Sequence, residues 1–279
     1  LAVLEKAGEV PVELPEQLRR RETRLATIRE AKAALEDEAA HAARQRAETA
    51  ARDRGDDEDT AAAQGAAAAD AATPKPKAQR NFTDPDSKIM LTGDGAFHQC
   101  YNAQAVVDED HQVIVATDVN TNAADVGNLI PMTEQTAANT GQAPGQMLAD
   151  AGYCSADNLE RADEFSDQHG TEFYVATGRS RPDEPPPVAA RGRIPKSATS
   201  KQRMARTLTT KKGRAIYARR KAIVEPVFGQ MSTLQNAKHL LLRGLDQARG
   251  EWLLLATCHN LRKLHGVIGV HGLAALAPT

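Results

Sequence analysis

The stretch QMLADAGYCS, residues 146–155, decides how the chain reads. Met147, Leu148 and Ala149 predict a short buried strand, and Asp150 sits where that strand would leave the core. Gly152 predicts a turn directly behind it. A carboxylate at such a place is costly to bury unless it is paired or bound to a cation. Either Asp150 caps a turn, or it holds something.

Working outward, YNAQAVV (101–107) and QVIVATDV (112–119) are β-branched runs separated by polar DEDH, which predicts a hairpin. A helix is expected from about Asp125 to Gly141, another from Ala156 to Phe165, and a strand in EFYVAT, 172–177. Two adjacent strands followed by helix, strand, helix, strand is an α/β pattern with a sheet of mixed direction. Five prolines in RSRPDEPPPVAARGRIPKSATSKQR, 179–203, interrupt it and predict an excursion. Helix signals return from about Gly213 in RAIYARRKAIVEPVFGQMS and end in ARGEWLLLATCHNLRKL. The leucines around Trp252 cover a wide arc of that last helix, which predicts deep burial with Trp252 in the core.

Upstream, apolar residues from Leu14 to about Ala50 recur at four-and-three spacing, so a charged segment over 1–52 should be one long helix, a spacer or a coiled-coil partner. Residues 53–80 have few bulky apolar side chains to offset ordering entropy and are expected to be a disordered linker. The folded domain should run over about 81–270.

The chain of 279 residues carries a formal net charge of −2 that hides its segregation. DRGDDED at 53–59 is almost wholly acidic, while Arg191 to Lys221 holds twelve Lys or Arg and no acid. Cys100, Cys154 and Cys258 lie far apart, against a disulfide framework or a structural zinc site and consistent with a reducing cytosol. No apolar run reaches the roughly 20 residues that span a bilayer, which predicts a cytoplasmic protein with no membrane partner.

A second acid stands out. Glu225, in RRKAIVEPVFG, is the first acid after the basic block and sits between Val224 and Pro226. If its helix lies along the sheet edge that carries Asp150, both carboxylates can converge on Mg²⁺ or Mn²⁺, which take hard oxygen ligands. Two such ions can activate a hydroxyl and stabilise the leaving oxygen of a phosphoryl transfer. The bland alternative makes Asp150 a strand-end cap and Glu225 an ion-pair partner of Arg219, Arg220 or Lys221. Spacing alone leaves both open.

Taken together, NFTDPDSKIM, YNAQAVVD, LADAGY, VEPVFG, LLLRG and EWLLLATCHNLRKL resemble, in order and spacing over about Asn81 to Leu264, the C-terminal part of DDE transposases of bacterial insertion sequences. That resemblance implies an RNase H-like mixed sheet flanked by helices, with Asp150 as the second catalytic acid and Glu225 as the third, both metal ligands. It implies Mg²⁺ (or Mn²⁺) as cofactor, element ends and target DNA as partners, and work in the bacterial cytoplasm at the nucleoid. The first acid of similar transposases lies in an Asp-Gly-Thr-like strand upstream of a charged helical insertion, and this chain begins inside or just before such an insertion. Asp84 and Asp86 belong to a separate motif. Tyr217 and Arg220 match the aromatic and basic residues that touch DNA near the scissile phosphate; Lys211, Lys212, Arg219 and Arg243 are further expected DNA contacts. Where relatives carry a lysine seven residues beyond the third acid, this chain has Ser232, with Lys238 as the substitute.

His98, His259 and His265 are candidate general bases or zinc ligands, but His259 in its apolar helix is expected to be a hydrogen-bonded core residue, and His98 precedes a strand and has no matching partner. Two functions follow: a metal-dependent enzyme of DNA strand transfer, or a non-catalytic remnant that binds DNA or forms a homodimer through the 14–50 helix. A plain RNase H-like nuclease is a third.

Overall fold

The computed structural model describes residues 16–178, 192, 194–195 and 197–275; most of the proline-rich excursion lies outside them. The chain divides into two compact units, residues 1–85 and 86–279.

In the first unit, helix α1 (Glu16–Asp53) packs along helix α2 (Glu58–Asp70). The second helix corrects the expectation of a disordered linker over 53–80. Asp57 caps it by accepting from the Thr60 N–H at 2.9 Å, and alanine has the best intrinsic helix propensity. Small side chains then bring the helices close: Ala51 and Ala61 are fully buried, and a Cβ on Gly65 would lie 2.6 Å from Glu48 Cγ. Close approach of small residues replaces the bulky apolar contacts whose absence suggested disorder.

The second unit opens with a hairpin the sequence did not announce, β1 (Lys88–Leu91) against β2 (Phe97–Cys100). The anticipated hairpin follows as β3 (Asn102–Val107) and β4 (Ile114–Asn120), antiparallel with a register shift at Val106/Val107. A 3₁₀ turn, Asp125–Asn128, leads into α3 (Leu129–Thr140), which ends at Gly141 with φ +75°. Then come β5 (Gln146–Ala149), a 3₁₀ turn at Ala151–Tyr153, α4 (Ala156–His169) and β6 (Glu172–Val175), which pairs parallel with β5. Helix α5 (Ser200–Thr209) starts earlier than expected, behind a capping box from Thr199. Next are α6 (Lys211–Ala218), α7 (Arg220–Leu234) and α8 (Leu245–Ala275), the last broken at Gly269.

The strands form three two-stranded sheets, β1–β2, β3–β4 and β5–β6. Two apolar clusters sandwich the middle of the unit. One joins β5 and β6 to α3 and α4 through Leu129, Met147, Leu159 and Phe173, with Val106 of β3 against it. The other joins β4 to α7 and α8 through Val119, Val227, Met231 and Trp252, with Ala103, Ala105 and Val107 packed on it. Alternate residues of β3 therefore serve opposite faces, as the period of a strand requires.

Trp252 is in the core as expected, 4 % exposed. The deep burial expected for its leucine neighbours is not found: Leu253 is 56 % and Leu254 62 % exposed. Only one side of α8 meets the hairpin, and the clamp there is polar. Asn260 exchanges two hydrogen bonds with the Ile114 backbone, both 2.8 Å. Fully buried His259 meets the Gln112 carbonyl at 2.9 Å, and Lys263 donates to the Gln112 side chain at 2.8 Å.

Candidate functional site

The pair β3–β4 and the pair β5–β6 do not hydrogen-bond to one another. Between them lies a cavity of about 490 Å³, lined by every residue from Asn102 to Glu109 on one side and from Gln142 to Asp150 on the other. Met132 and Thr136 of α3 close one face; Ile223, Val224 and Phe228 of α7 close the other. The facing edges run in opposite directions. Near one end Arg219 bonds both Glu109 and Gln146; near the other the Tyr153 hydroxyl donates to the Gln104 side chain.

Asp150 stands at that second end. It follows the last residue of β5, and its Oδ1 accepts from the Gly152 N–H at 2.8 Å. The capping reading is therefore met. Its other oxygen accepts no hydrogen bond among the described residues, so capping does not exhaust the carboxylate.

Around it the chain gathers polar groups that the sequence reading passed over. Asp125, opening the turn after β4, accepts from Asn102 Nδ2 at 2.8 Å and Gln104 Nε2 at 2.9 Å. Gln104 is 3 % exposed in the middle of an apolar strand. A buried amide inside YNAQAVV was the available signal, because such groups persist where they are fully bonded. A Cβ built on Gly152 would come 2.7 Å from Asp125 Oδ2 and 3.0 Å from Asp150 Oδ1. Glycine leaves the space into which both carboxylates come.

Two phenols and one cation complete this end. The Tyr153 hydroxyl is pushed above its ordinary range, chiefly by burial and further by the charges of Asp125 and Asp150. Burial also raises Tyr217, which the charge of Arg220 opposes. The Arg220 guanidinium lies 5.9 Å from the centre of the Tyr217 ring. Its buried Nε has no hydrogen-bond partner among the described residues.

The structure thus brings Asp150, Tyr217 and Arg220 together, but Glu225 does not line the cavity. Glu225 is exposed on α7. It comes one residue after Val224, about 100° further round the helix. It makes no ion pair among the described residues, so the expected pairing with Arg219, Arg220 or Lys221 is absent there. Arg219 pairs with Glu109 at the far end of the cavity, and Lys212 with Glu172 at 2.6 Å. Lys211 and Arg243 are exposed. Ser232 is on α7, whereas Lys238 lies beyond its end. Asp86 accepts from the first amide of α8, that of Leu245, at 2.9 Å. His98 pairs with Asp94 at 3.0 Å in the β1–β2 turn.

The donors at this end, carboxylate and amide oxygens with a cradle that a Cβ would fill, suit a hard divalent cation. Among the described residues no three His, Cys, Asp or Glu side chains gather at one point. A Mg²⁺ ion held by one or two carboxylates plus substrate phosphate needs no more.

Comparison with known proteins adds one match. The family model described as "Transposase DDE domain" covers residues 72–261 of the chain. No curated protein and no solved structure is similar enough to match.

Proposed function

Because the chain belongs to the transposase DDE domain family, we propose that it serves DNA transposition by metal-dependent phosphodiester hydrolysis and strand transfer at the ends of an insertion sequence. The observation that carries this reading is Asp150: a carboxylate at the end of β5, one oxygen unused, at the mouth of a cavity beside Arg220 and Tyr217.

The cavity also supports an RNase H-like sheet. The free edges of β3 and β5 face it in opposite directions, with helices over both faces. One strand placed there, antiparallel to β3 and parallel to β5, would join the two pairs into a mixed sheet of five. Buried on both faces, it would have to be apolar. Its end beside Asp150 is where the first acid of a DDE site belongs.

Asp150 and Glu225 would hold Mg²⁺ or Mn²⁺. The bound cation supplies charge neutralisation at the phosphate and a lowered pKa for the attacking hydroxyl. Arg220 would orient the scissile phosphate with its guanidinium, and Tyr217 would hold the guanidinium plane. Glu225 would then have to reach the ion from its exposed place on α7. Lys211, Lys212, Arg219 and Arg243 would contact flanking phosphates on bacterial chromosomal DNA.

The test is a joining assay with Mg²⁺ and element-end DNA, using the chain together with whatever coding sequence precedes Leu1. Asp150→Asn and Glu225→Gln are each expected to lower joining by at least about a hundredfold while DNA affinity stays within about threefold, as loss of transition-state stabilisation requires. Joining that survives Asp150→Asn sinks the assignment. Binding without joining in the unaltered protein would favour the non-catalytic alternative.

A further inference from the structure

We propose that Asp125 is a positioning residue for Asp150, acting through Gln104 and Tyr153. This rests on the reading of Asp150 as the working carboxylate. A carboxylate only accepts hydrogen bonds, so Asp125 Oδ1 forces the Gln104 amide to present its Nε2 at 2.9 Å, with Asn102 Nδ2 at 2.8 Å alongside. Gln104 Nε2 also reaches Asn102 Oδ1 at 2.8 Å. The Gln104 oxygen must then point the other way, where it accepts the Tyr153 O–H.

Tyr153 is the last residue of the 3₁₀ turn that Asp150 caps. Fixing its hydroxyl fixes the far end of the turn, and the Gly152 N–H at the turn's centre holds Asp150 Oδ1. A sequence of oriented hydrogen bonds therefore runs from Asp125 to the carboxylate that faces the cavity. Tyr153 keeps its proton to donate, since burial and the two neighbouring charges oppose ionisation. Asp125 also meets Asp150 more directly: both come within reach of the Cβ that Gly152 lacks.

The experiment uses the full chain with two readouts, amide hydrogen exchange at Gly152 and Mn²⁺ affinity by calorimetry. Losing a buried, charge-assisted hydrogen bond matters at the level of about tenfold or more. Asp125→Ala and Gln104→Leu should each speed Gly152 exchange by about tenfold while amides of β6 stay unchanged, and should weaken Mn²⁺ binding in step. Asp125→Asn, whose side-chain oxygen still accepts both amides, should leave Gly152 exchange close to the parent; Tyr153→Phe should behave like Gln104→Leu.

Unchanged Gly152 exchange in Asp125→Ala overturns the proposal. So does a loss of Gly152 protection in Asp125→Asn as large as in Asp125→Ala, because the charge rather than the hydrogen-bond chain would then be acting. If Gly152 responds as described but Mn²⁺ affinity ignores Asp150→Asn, the reading of Asp150 as an ion ligand fails and the positioning role stands.

Discussion

At the scale of single residues, Gly152 is the most exacting position near the candidate site. Its backbone is not in the left-handed region, so alanine is allowed there conformationally; what forbids it is the pair of carboxylate oxygens. Overpacking costs about 1–3 kcal/mol, and here the strain would be relieved by turning Asp125 or Asp150. Gly152→Ala should therefore weaken Mn²⁺ binding by about tenfold, a loss of roughly 1.4 kcal/mol, with a smaller change in urea midpoint; calorimetry beside a denaturation curve checks both. Lys212 gives a second prediction. Its bond to Glu172 holds the Glu172 carboxyl below the ordinary range and the Lys212 ammonium above it. The depressed acid contributes stability above its unfolded value of about 4.3 and loses it as pH falls through its folded value; the raised lysine contributes below about 10.4 and loses it as pH rises. The tie is intact at neutral pH, where Lys212 is engaged. Glu172→Gln should free it, raising DNA affinity and steepening the log–log salt slope by up to about one, as measured by fluorescence anisotropy across a salt series.

Among the elements, α7 is the one whose local sequence and tertiary role conflict most openly. Pro226 has no N–H, so the Ala222 carbonyl four residues back loses its helical partner. Gln112 Nε2 takes that place at 3.0 Å. Gln112, with φ +58°, also bonds His259 and Lys263 of α8, so one hairpin residue ties both helices to the sheet. The proline in VEPVFG thereby becomes a docking device rather than a break. Asn260→Ala, which removes both bonds to Ile114, should cost about 1–3 kcal/mol because backbone groups would be left unpaired. Met231→Ala, at 1 % exposure on α7, should cost about 2–5 kcal/mol through the cavity it leaves. Urea unfolding of both variants tests whether polar clamp and apolar packing share the anchoring of the hairpin. The β1–β2 hairpin was not legible beforehand, because Ile89, Leu91 and Phe97 are exposed and of its apolar residues Met90 alone is buried, too little to show an alternating pattern. Helix α2 was missed for the opposite reason: alanine and glycine pack by closeness, a property that bulk and hydropathy do not register.

For the whole molecule, charge and cavity point to the same partner. Arg191 to Lys221 holds twelve cations and no acid; Arg203, Lys212 and Arg219 of these are paired with Asp163, Glu172 and Glu109, and the others add to a positive field that attracts a polyphosphate. A protein neutralising six to ten phosphates loses about 10³ to 10⁵ in affinity between 50 and 200 mM salt; replacing exposed Lys211 with alanine should reduce that slope by up to about one, in the same anisotropy series. No helix among the described residues is long and apolar enough to cross a membrane, although α8 carries exposed Leu253, Leu254 and Leu261.

What the sequence determined by itself was local and periodic: the 102–120 hairpin, the strand that stops at Asp150, the glycine turn after it, the run of helices behind the basic block, and the motifs that place the chain in its family. Those features depend on neighbours along the chain, whose spacing the sequence states directly. Only the tertiary structure decided which carboxylates meet. Asp125 lies 25 residues before Asp150 yet both carboxylates come close to Gly152, while Glu225, the acid that the family resemblance favoured, is turned outward by the helical phase of α7. The edges of β3 and β5 likewise face one cavity instead of each other. Such facts turn on helix rotation and sheet order, which are set when two apolar faces pack together, and no stretch of sequence carries that information alone.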